Sequence, residues 1–226
     1  MKTALLKKPR RHKDSQLRDR RHEEILQAAV RLFAEHGYAG TDTQLLADQL
    51  QVGKGTLYRY FPSKRSLFLA AVDRVMRRLV ERVDAAIAGI ADPLRQVAVA
   101  IRTYLTFFAE QPEYVELLIQ ERALFRDRKK TTYFQYREAN AERWLGLYRG
   151  LIFLGRVRDI PVERIRDNIG NLVYGTMFTN YFTGQRKANE AQTRDILDIV
   201  FHGILSESER RQHQLNGEWY EEICHE

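Results

Sequence analysis

The residues best suited to chemistry in this chain lie between positions 54 and 59, where hydrogen-bond donors cluster without an acid. Lys54, Thr56, Tyr58 and Arg59 carry donor groups, and Gly55 leaves the backbone open to close approach. Phosphate oxygens and base edges accept hydrogen bonds from such groups, and the segment has no carboxylate to repel them. The segment therefore indicates contact with a nucleic acid.

Catalytic and metal-binding patterns do not emerge from the other reactive residues. Gly53 to Thr56 lack the preceding strand and the spacing of a phosphate-binding glycine loop. The single cysteine, Cys224, lies two residues from the end. The histidines fall at no spacing typical of a metal site or a nucleophilic triad: His12, His22, His36, His202, His213 and His225. We therefore expect no enzyme, no catalytic residue, no metal and no cofactor.

Helices must position the donors. Apolar residues recur every three or four positions over about 20–36, and Gly37 follows where a helix commonly ends. Thr41 is expected to cap a second short helix running to Leu50. A turn of about four residues leads to a third helix over 54–60. Two short helices joined in this way form a helix-turn-helix, whose second helix can enter the major groove of DNA.

The remainder of the chain also has helical periodicity, and no strand alternation stands out. Further helices are expected over about 63–87, 93–111, 112–125, 132–154, 162–182 and 190–205, with the structure of the polar tail, 206–226, left open. The sequence predicts an all-α protein of about nine helices. Its parts are a flexible basic arm (1–19), a three-helix helix-turn-helix domain (20–67) and a helical ligand-binding and dimerisation domain (68–226).

Positive charge is concentrated at the N-terminus. Residues 1–21 contain nine Lys or Arg and two Asp, so this segment alone has the formal charge of +7 that the whole chain has. Such an arm beside a recognition helix can enter the minor groove or follow the DNA backbone, and Arg18, Arg20 and Arg21 lie closest to that unit. The alternative is a solvated tail that only aids solubility.

The N-terminal region resembles the tetracycline-repressor (TetR-like) family of transcription regulators over roughly residues 20–70. Two positions depart from the family pattern: Gln51 stands where a glycine is usual in the turn, and Gly53 stands where a serine cap is usual. The matching positions are Ile25, Ala28, Ala29, 32–35, 37–38, Thr41, 46–47, Val52, 55–58, 60–61, 63–64 and Leu67.

The resemblance implies roles for individual residues. Lys54, Gly55 and Thr56 are expected to face base edges, and Arg59 to contact either bases or phosphate. The phosphate contacts are expected to be Thr41, Tyr58, Tyr60 and Lys64. Core packing is the alternative for the two tyrosines, and a solvated side chain is the alternative for Lys64.

Aromatic residues are unusually dense in the body, where residues 101–185 hold fifteen of the twenty-four. They suit a pocket for an apolar or aromatic small molecule, although a bulky core would also use them. We found no basic cluster in the body, which argues against a highly charged anion as effector. The candidate lining residues are Tyr104, Phe107, Phe108, Phe125, Trp144, Tyr148, Tyr174 and Phe178.

The eighth and ninth predicted helices are expected to pair with their symmetry mates in a homodimer, as the resemblance implies. The candidate interface residues are Ile169, Val173, Ile196, Ile199, Val200 and Gly203.

Together these features predict a cytoplasmic regulator that binds a palindromic double-stranded DNA operator. No apolar run approaches the about 18 residues of a membrane span, so no membrane partner is expected. The expected role is a repressor released by a small-molecule effector, and the alternative is a constitutive DNA-binding protein without a physiological ligand. The sequence specifies neither the effector, the operator and its genes, nor repression over activation.

Overall fold

The computed structural model describes residues 10–185 and 190–215, apart from the side chains of 10–14, 210 and 213–215. Within them the secondary structure is helical, with one isolated antiparallel bridge between Val157 and Leu205. This confirms the all-α prediction. The helices are α1 (Arg10–Gly40), α2 (Thr43–Gln49), α3 (Lys54–Tyr60), α4 (Lys64–Ile87), α5 (Pro93–Glu110), α6 (Pro112–Leu124), α7 (Thr132–Ala139), α8 (Ala141–Phe153), α9 (Val162–Phe182), α10 (Glu190–Ile204) and α11 (Glu207–Leu215).

The described residues form eleven helices where about nine were predicted. The helix predicted over 132–154 is two helices that meet at Asn140, whose side-chain amide donates to the Tyr136 carbonyl oxygen at 2.9 Å. Asparagine competes for backbone groups in this way and so favours helix ends. The additional helix α11 lies in the polar tail. It was not predicted because an ion pair fixes it, with Arg156 donating to the buried carboxylate of Glu209 at 2.8 Å.

The first helix begins at Arg10, about ten residues before its predicted start, so positions 10–19 are helical and not a flexible arm. Residues 15–20 are all exposed. The apolar pattern could not reveal residues 15–20 as helical because none of their side chains is buried. Residues 1–9 of the predicted arm lie outside the described part.

The chain divides into two compact units, Met1–Arg74 and Val75–Glu226. The predicted boundary at 67/68 is therefore early by seven residues. Phe68 packs edge-on against Phe33, with ring centroids 5.0 Å apart, and Arg74 donates to the Glu23 carboxylate at 2.6 Å. These contacts with α1 explain why the first half of α4 belongs to the N-terminal unit.

The core of the N-terminal unit is built from buried residues of α1 to α4. Its members are Ile25, Leu26, Ala29, Phe33, Leu46, Ala47, Leu57, Leu67 and Phe68. Between α2 and α3, Gln51 has a φ of 53°, in the left-handed region. The departure from glycine at this turn therefore places a side chain where glycine is favoured.

The second unit has its main core between α5, α8, α9 and α10. Buried residues of these helices include Val97, Ile101, Leu151, Ile165 and Phe201. The helix α6 packs on α5 and α9, and α7 packs on α8. This arrangement surrounds the aromatic residues of the body with helices on several sides.

Candidate functional site

The outward face of α3 carries the predicted donors. Lys54, Gly55, Tyr58 and Arg59 are exposed, while Leu57 on the opposite side is buried in the N-terminal core. Thr56 and Tyr60 are half-buried. A helix anchored along one side by an apolar residue holds its other side in a defined orientation. The exposed donors of this face can therefore contact the edges of a groove of matching width.

An acidic residue that was not predicted to be part of this site lies beside the face. Asp42 caps α2, and its carboxylate accepts from the Gln44 amide at 2.8 Å. Lys54 Nζ lies 3.7 Å from the same carboxylate. The Gln44 hydrogen bond, assisted by the Lys54 charge, holds the pKa of Asp42 below its usual value. Asp42 therefore stays ionised at neutral pH and forms an exposed ion pair with Lys54.

The prediction for Thr41 is corrected on both counts. Asp42, and not Thr41, caps α2. Thr41 is only 2% exposed, and its hydroxyl lies 3.1 Å from the Leu32 carbonyl oxygen and 2.7 Å from that of Gly37. Gly37 has a φ of 69°, which kinks the end of α1 and brings its carbonyl to this hydroxyl. Thr41 therefore closes the end of α1 and does not present a hydroxyl to phosphate.

Tyr58 has a partner that sequence reasoning missed. Its hydroxyl lies 3.0 Å from the hydroxyl of Thr43, which is buried at the start of α2. Either group can donate. This contact fixes the tyrosine hydroxyl near the surface while the ring remains partly exposed.

Lys64 is held at the end of α1, although it begins α4. Its ammonium donates to the Ala39 carbonyl oxygen at 3.1 Å and lies 4.9 Å from the centre of the Tyr38 ring. The negative end of the α1 dipole favours a cation here, which explains a lysine in the first turn of α4. The neighbouring Tyr60 ring lies 6.3 Å from that of His22.

The three predicted arginines of α1 differ in whether they form an ion pair. Arg18 and Arg20 are exposed, whereas Arg21 donates to the Glu24 carboxylate at 3.0 Å. Such an exposed pair contributes little stability and opens readily. These residues therefore lie on a regular helix before the helix-turn-helix.

The second unit contains a cavity of about 190 Å³, called here the aromatic cavity. Three of the eight predicted residues line it: Tyr104, Trp144 and Tyr148. Its other walls, which were not predicted as lining, include Met76, Leu79, Val83, Val97, Ile101, Tyr133, Tyr136, Arg137, Arg143, Arg166, Ile169 and Val173.

The other five predicted aromatics lie outside this lining. Phe107 and Phe108 are buried against each other, with ring centroids 5.1 Å apart, and Phe125 is buried at the end of α6. Tyr174 and Phe178 pack edge-to-face on α9, with ring centroids 4.8 Å apart. Aromatic density cannot distinguish these positions because both faces of a buried helix are apolar.

The hydroxyl groups in the aromatic cavity are neutral hydrogen-bonding groups. Tyr104 donates to the Tyr133 oxygen at 3.1 Å. Burial raises the pKa of Tyr133 to about 12 and raises the pKa values of Tyr104 and Tyr148 well above their usual value. Charge in the cavity wall therefore comes from Arg137, Arg166 and Arg143, the last of which is paired with the one acid of the lining, Asp84.

A second depression of about 680 Å³, called here the basic groove, overturns the expectation that the body has no basic cluster. Arg137, Ala141 and Arg166 line both this groove and the aromatic cavity. The cluster forms because side chains from α6, α7 and α9 join the charged residues 126–130 between α6 and α7. One acid, Glu138, lies among its seven basic side chains: Arg122, Arg126, Arg128, Lys129, Lys130, Arg137 and Arg166.

Most of the predicted dimer residues face inward. Ile169, Val173, Ile196 and Val200 are buried in the main core of the second unit, and the first two also line the aromatic cavity. The predicted set contains residues from both the inner and the outer side of these helices, and those on the inner side pack within the same chain. Only Ile199, which is 64% exposed, and Gly203 lie on the outside.

Three other exposed apolar residues of the second unit were not predicted as interface residues. Phe182 at the end of α9 is 69% exposed, and Phe153 and Leu154 at the end of α8 are also exposed.

In the described part of the chain, none of the helices combines the length and hydropathy that a membrane crossing needs. The same residues hold no group of three or more His, Cys, Asp or Glu side chains placed to bind a metal ion.

Comparison with known proteins places the N-terminal region in a family. Residues 25–71 match the family model described as bacterial regulatory proteins, tetR family. The transcriptional activator FasR of Mycolicibacterium smegmatis is 29% identical over 46% of this chain and 47% of its own length. The transcriptional repressor KstR of Mycobacterium tuberculosis is 34% identical over 43% of each chain. The matched region thus spans about half the length of these curated relatives or less.

The fold extends beyond the matched region. A transcriptional regulator from Saccharomonospora viridis, solved in complex with choline, superposes with a TM-score of 0.71. That structure covers 83% of this chain and 99% of its own, at 20% identity. At this identity the likeness shows a shared fold, including the helical body.

Proposed function

We propose that the chain is a member of the tetR family of bacterial regulatory proteins, and that it is a homodimeric repressor that binds a palindromic DNA operator and is released by a small molecule. The observation that carries the proposal is the exposed donor face of α3, set on a buried Leu57 within a helix-turn-helix. A recognition helix of this kind reads base edges while its neighbours hold phosphates. We place its action in the cytoplasm, where bacterial DNA lies.

The division of roles follows from the contacts. Lys54, Gly55 and Thr56, in the first turn of α3, are the proposed base-reading group. Tyr58 and Lys64 are the proposed phosphate contacts, because each is held by a neighbouring element at a fixed place near the surface. The Lys54–Asp42 pair adds selectivity, since an ion pair at the surface opens when DNA supplies a stronger partner.

Dimerisation is proposed through the outer faces of α9 and α10. Ile199 and Phe182 are large exposed apolar side chains whose burial against a second copy would remove apolar surface from water, and the exposed Gly203 leaves room for close approach. A two-fold axis relates the same surface of two copies and so presents two recognition helices to the two halves of a palindrome.

Effector control is proposed through α4. Residues of its second half, from Met76 to Asp84, line the aromatic cavity, and its first half belongs to the DNA-binding unit. A ligand that favours one position of this helix changes operator affinity about 5- to 150-fold for a coupling of about 1–3 kcal/mol. The choline complex of the related fold supports a small-molecule site in such a body.

The relatives include both a repressor and an activator, and we propose repression for this chain on a mechanistic ground. A protein that occupies a promoter-overlapping operator blocks transcription by exclusion alone, without contacts to polymerase.

The experiment is selection of binding sites from random duplex DNA with the full chain, followed by footprinting. The proposal expects an enriched palindrome with half-sites about one helical turn apart. Failure to enrich any sequence would contradict it. Enrichment of a site without two-fold symmetry would contradict the dimer arrangement alone.

A further inference from the structure

We propose that the effector is a small amphiphile with a phosphorylated head, whose apolar part lies in the aromatic cavity and whose head lies in the basic groove. The inference rests on the proposed effector function and names the ligand class of that site. It is carried by the charge of the groove, its continuity with the cavity and the apolar walls beyond.

The groove has cations that the protein does not neutralise. Arg122 and Lys129 are exposed and have no carboxylate partner among the described residues, and the Arg126 guanidinium donates only to the Ala123 carbonyl oxygen, at 3.3 Å. By contrast, Arg128 is bonded to the buried carboxylate of Glu121. Arginine forks match phosphate oxygens in pairs, and a phosphate carries more charge than a carboxylate.

The groove and the cavity are joined by shared side chains. Arg137 and Arg166 belong to both linings. Both contact Asp167, Arg137 at 3.1 Å and Arg166 at 2.8 Å, and Arg137 also donates to Asn171 at 2.9 Å. A Cβ at Gly170 would lie 3.1 Å from the Arg137 guanidinium, so glycine lets this side chain lie close against α9. The two arginines are thus fixed where a bound head would meet its tail.

The far side of the cavity suits a short apolar group. Its walls include Leu79, Val83, Val97, Ile101 and Trp144. The volume of about 190 Å³ lies below the about 300–1,000 Å³ of pockets for drug-sized ligands. A single ring or a medium-length chain is therefore the expected tail. A free polyanion would leave these walls empty, and an uncharged hydrophobe would leave Arg122 and Lys129 unused.

The test uses ligands with one tail and different heads: octyl phosphate, octanoyl-coenzyme A, octanoate and octyltrimethylammonium, with coenzyme A alone as the tail-free control. Binding is followed by Trp144 fluorescence in the full chain with Trp219→Phe, which leaves one indole. The expected result is that at least one phosphorylated octyl compound binds tenfold or more tighter than octanoate and octyltrimethylammonium. Octyl phosphate and octanoyl-coenzyme A separate a lipid phosphate from a nucleotide-linked head. Tail-free coenzyme A should bind at least tenfold more weakly than its octanoyl thioester.

Substitutions in the basic groove then test whether the phosphorylated head binds there. Arg122→Gln with Lys129→Gln should weaken binding of the phosphorylated compound at least tenfold, about 1.4 kcal/mol, and should change the affinity for octanoate less than threefold. Arg149→Gln with Arg164→Gln removes the same charge at exposed positions outside the groove and should change neither. An equal loss in both pairs would overturn the assignment, because it would reflect net charge.

Other outcomes also overturn the proposal. Octanoate or octyltrimethylammonium binding as tightly as the phosphorylated compounds would do so, as would no binding by any of them. Displacement of octyl phosphate by unrelated duplex DNA would assign the groove to nucleic acid instead. Because these titrations contain no operator, their failure leaves the separately measured DNA binding, and hence the proposed function, intact.

Discussion

Replacing Gln51 with glycine should stabilise the protein. Gln51 has a φ of 53° in the turn before α3, where an L side chain costs roughly 1–2 kcal/mol relative to glycine. Glycine adds freedom to the unfolded chain, which offsets about 0.5–1 kcal/mol of that gain. The net expectation is about 0.5–1 kcal/mol of added stability.

The assay is urea unfolding of the full chain, read as a shift in midpoint at constant slope. Gln49→Gly is the matched control because Gln49 is an exposed residue in the last turn of α2 with helical geometry. There glycine should destabilise by about 0.5–1 kcal/mol. If Gln51→Gly lowers the midpoint, or if both variants shift it in the same direction, the strain argument is refuted.

Three further predictions concern the dimer, the arm and pH. Ile199→Asp should give a folded protein that sediments as a monomer and binds the operator weakly. Val200→Asp, in the buried core, should instead lower the unfolding midpoint. A dimeric Ile199→Asp variant would contradict the proposed interface. Deleting residues 1–17 should weaken DNA binding and reduce the log–log salt slope by about 0.9 for each phosphate that the shortened protein no longer neutralises; an unchanged slope would mean a solvated tail. The raised pKa of Tyr133 contributes stability that is present below pH 10 and lost as pH rises through about 12. Tyr133→Phe should therefore reduce the fall in the free energy of unfolding over this pH range. An unchanged pH dependence would count against this prediction.

The N-terminal unit was the most predictable part of the chain. Local signals dominate there: Gly37 ends a helix, and Leu57 and Leu67 set its buried side. Thr41 was misassigned because a threonine before a helix can cap it or close the previous one, and Asp42 at the next position is the better cap.

The body was predictable as helices but not as surfaces. Apolar residues lie on more than one side of α9, and Ile199 and Val200 are neighbours on α10, so composition could not show that Val173 and Val200 face the core while Ile199 faces outward. The basic groove was missed for a different reason, since Arg122, Lys129 and Arg166 come together only through packing of separate helices.

The central claim is that α3 reads bases while its neighbours hold phosphate, and one binding measurement tests it most directly. Affinities of two double variants are compared across the selected operator and single-base variants of it. Tyr58→Phe with Lys64→Ala should weaken binding to all sequences by a similar factor. Lys54→Ala with Thr56→Ala should instead flatten the preference among bases, which is normally about 1–3 kcal/mol per position. Unchanged preference in the second variant, or normal affinity in the first, would contradict the account.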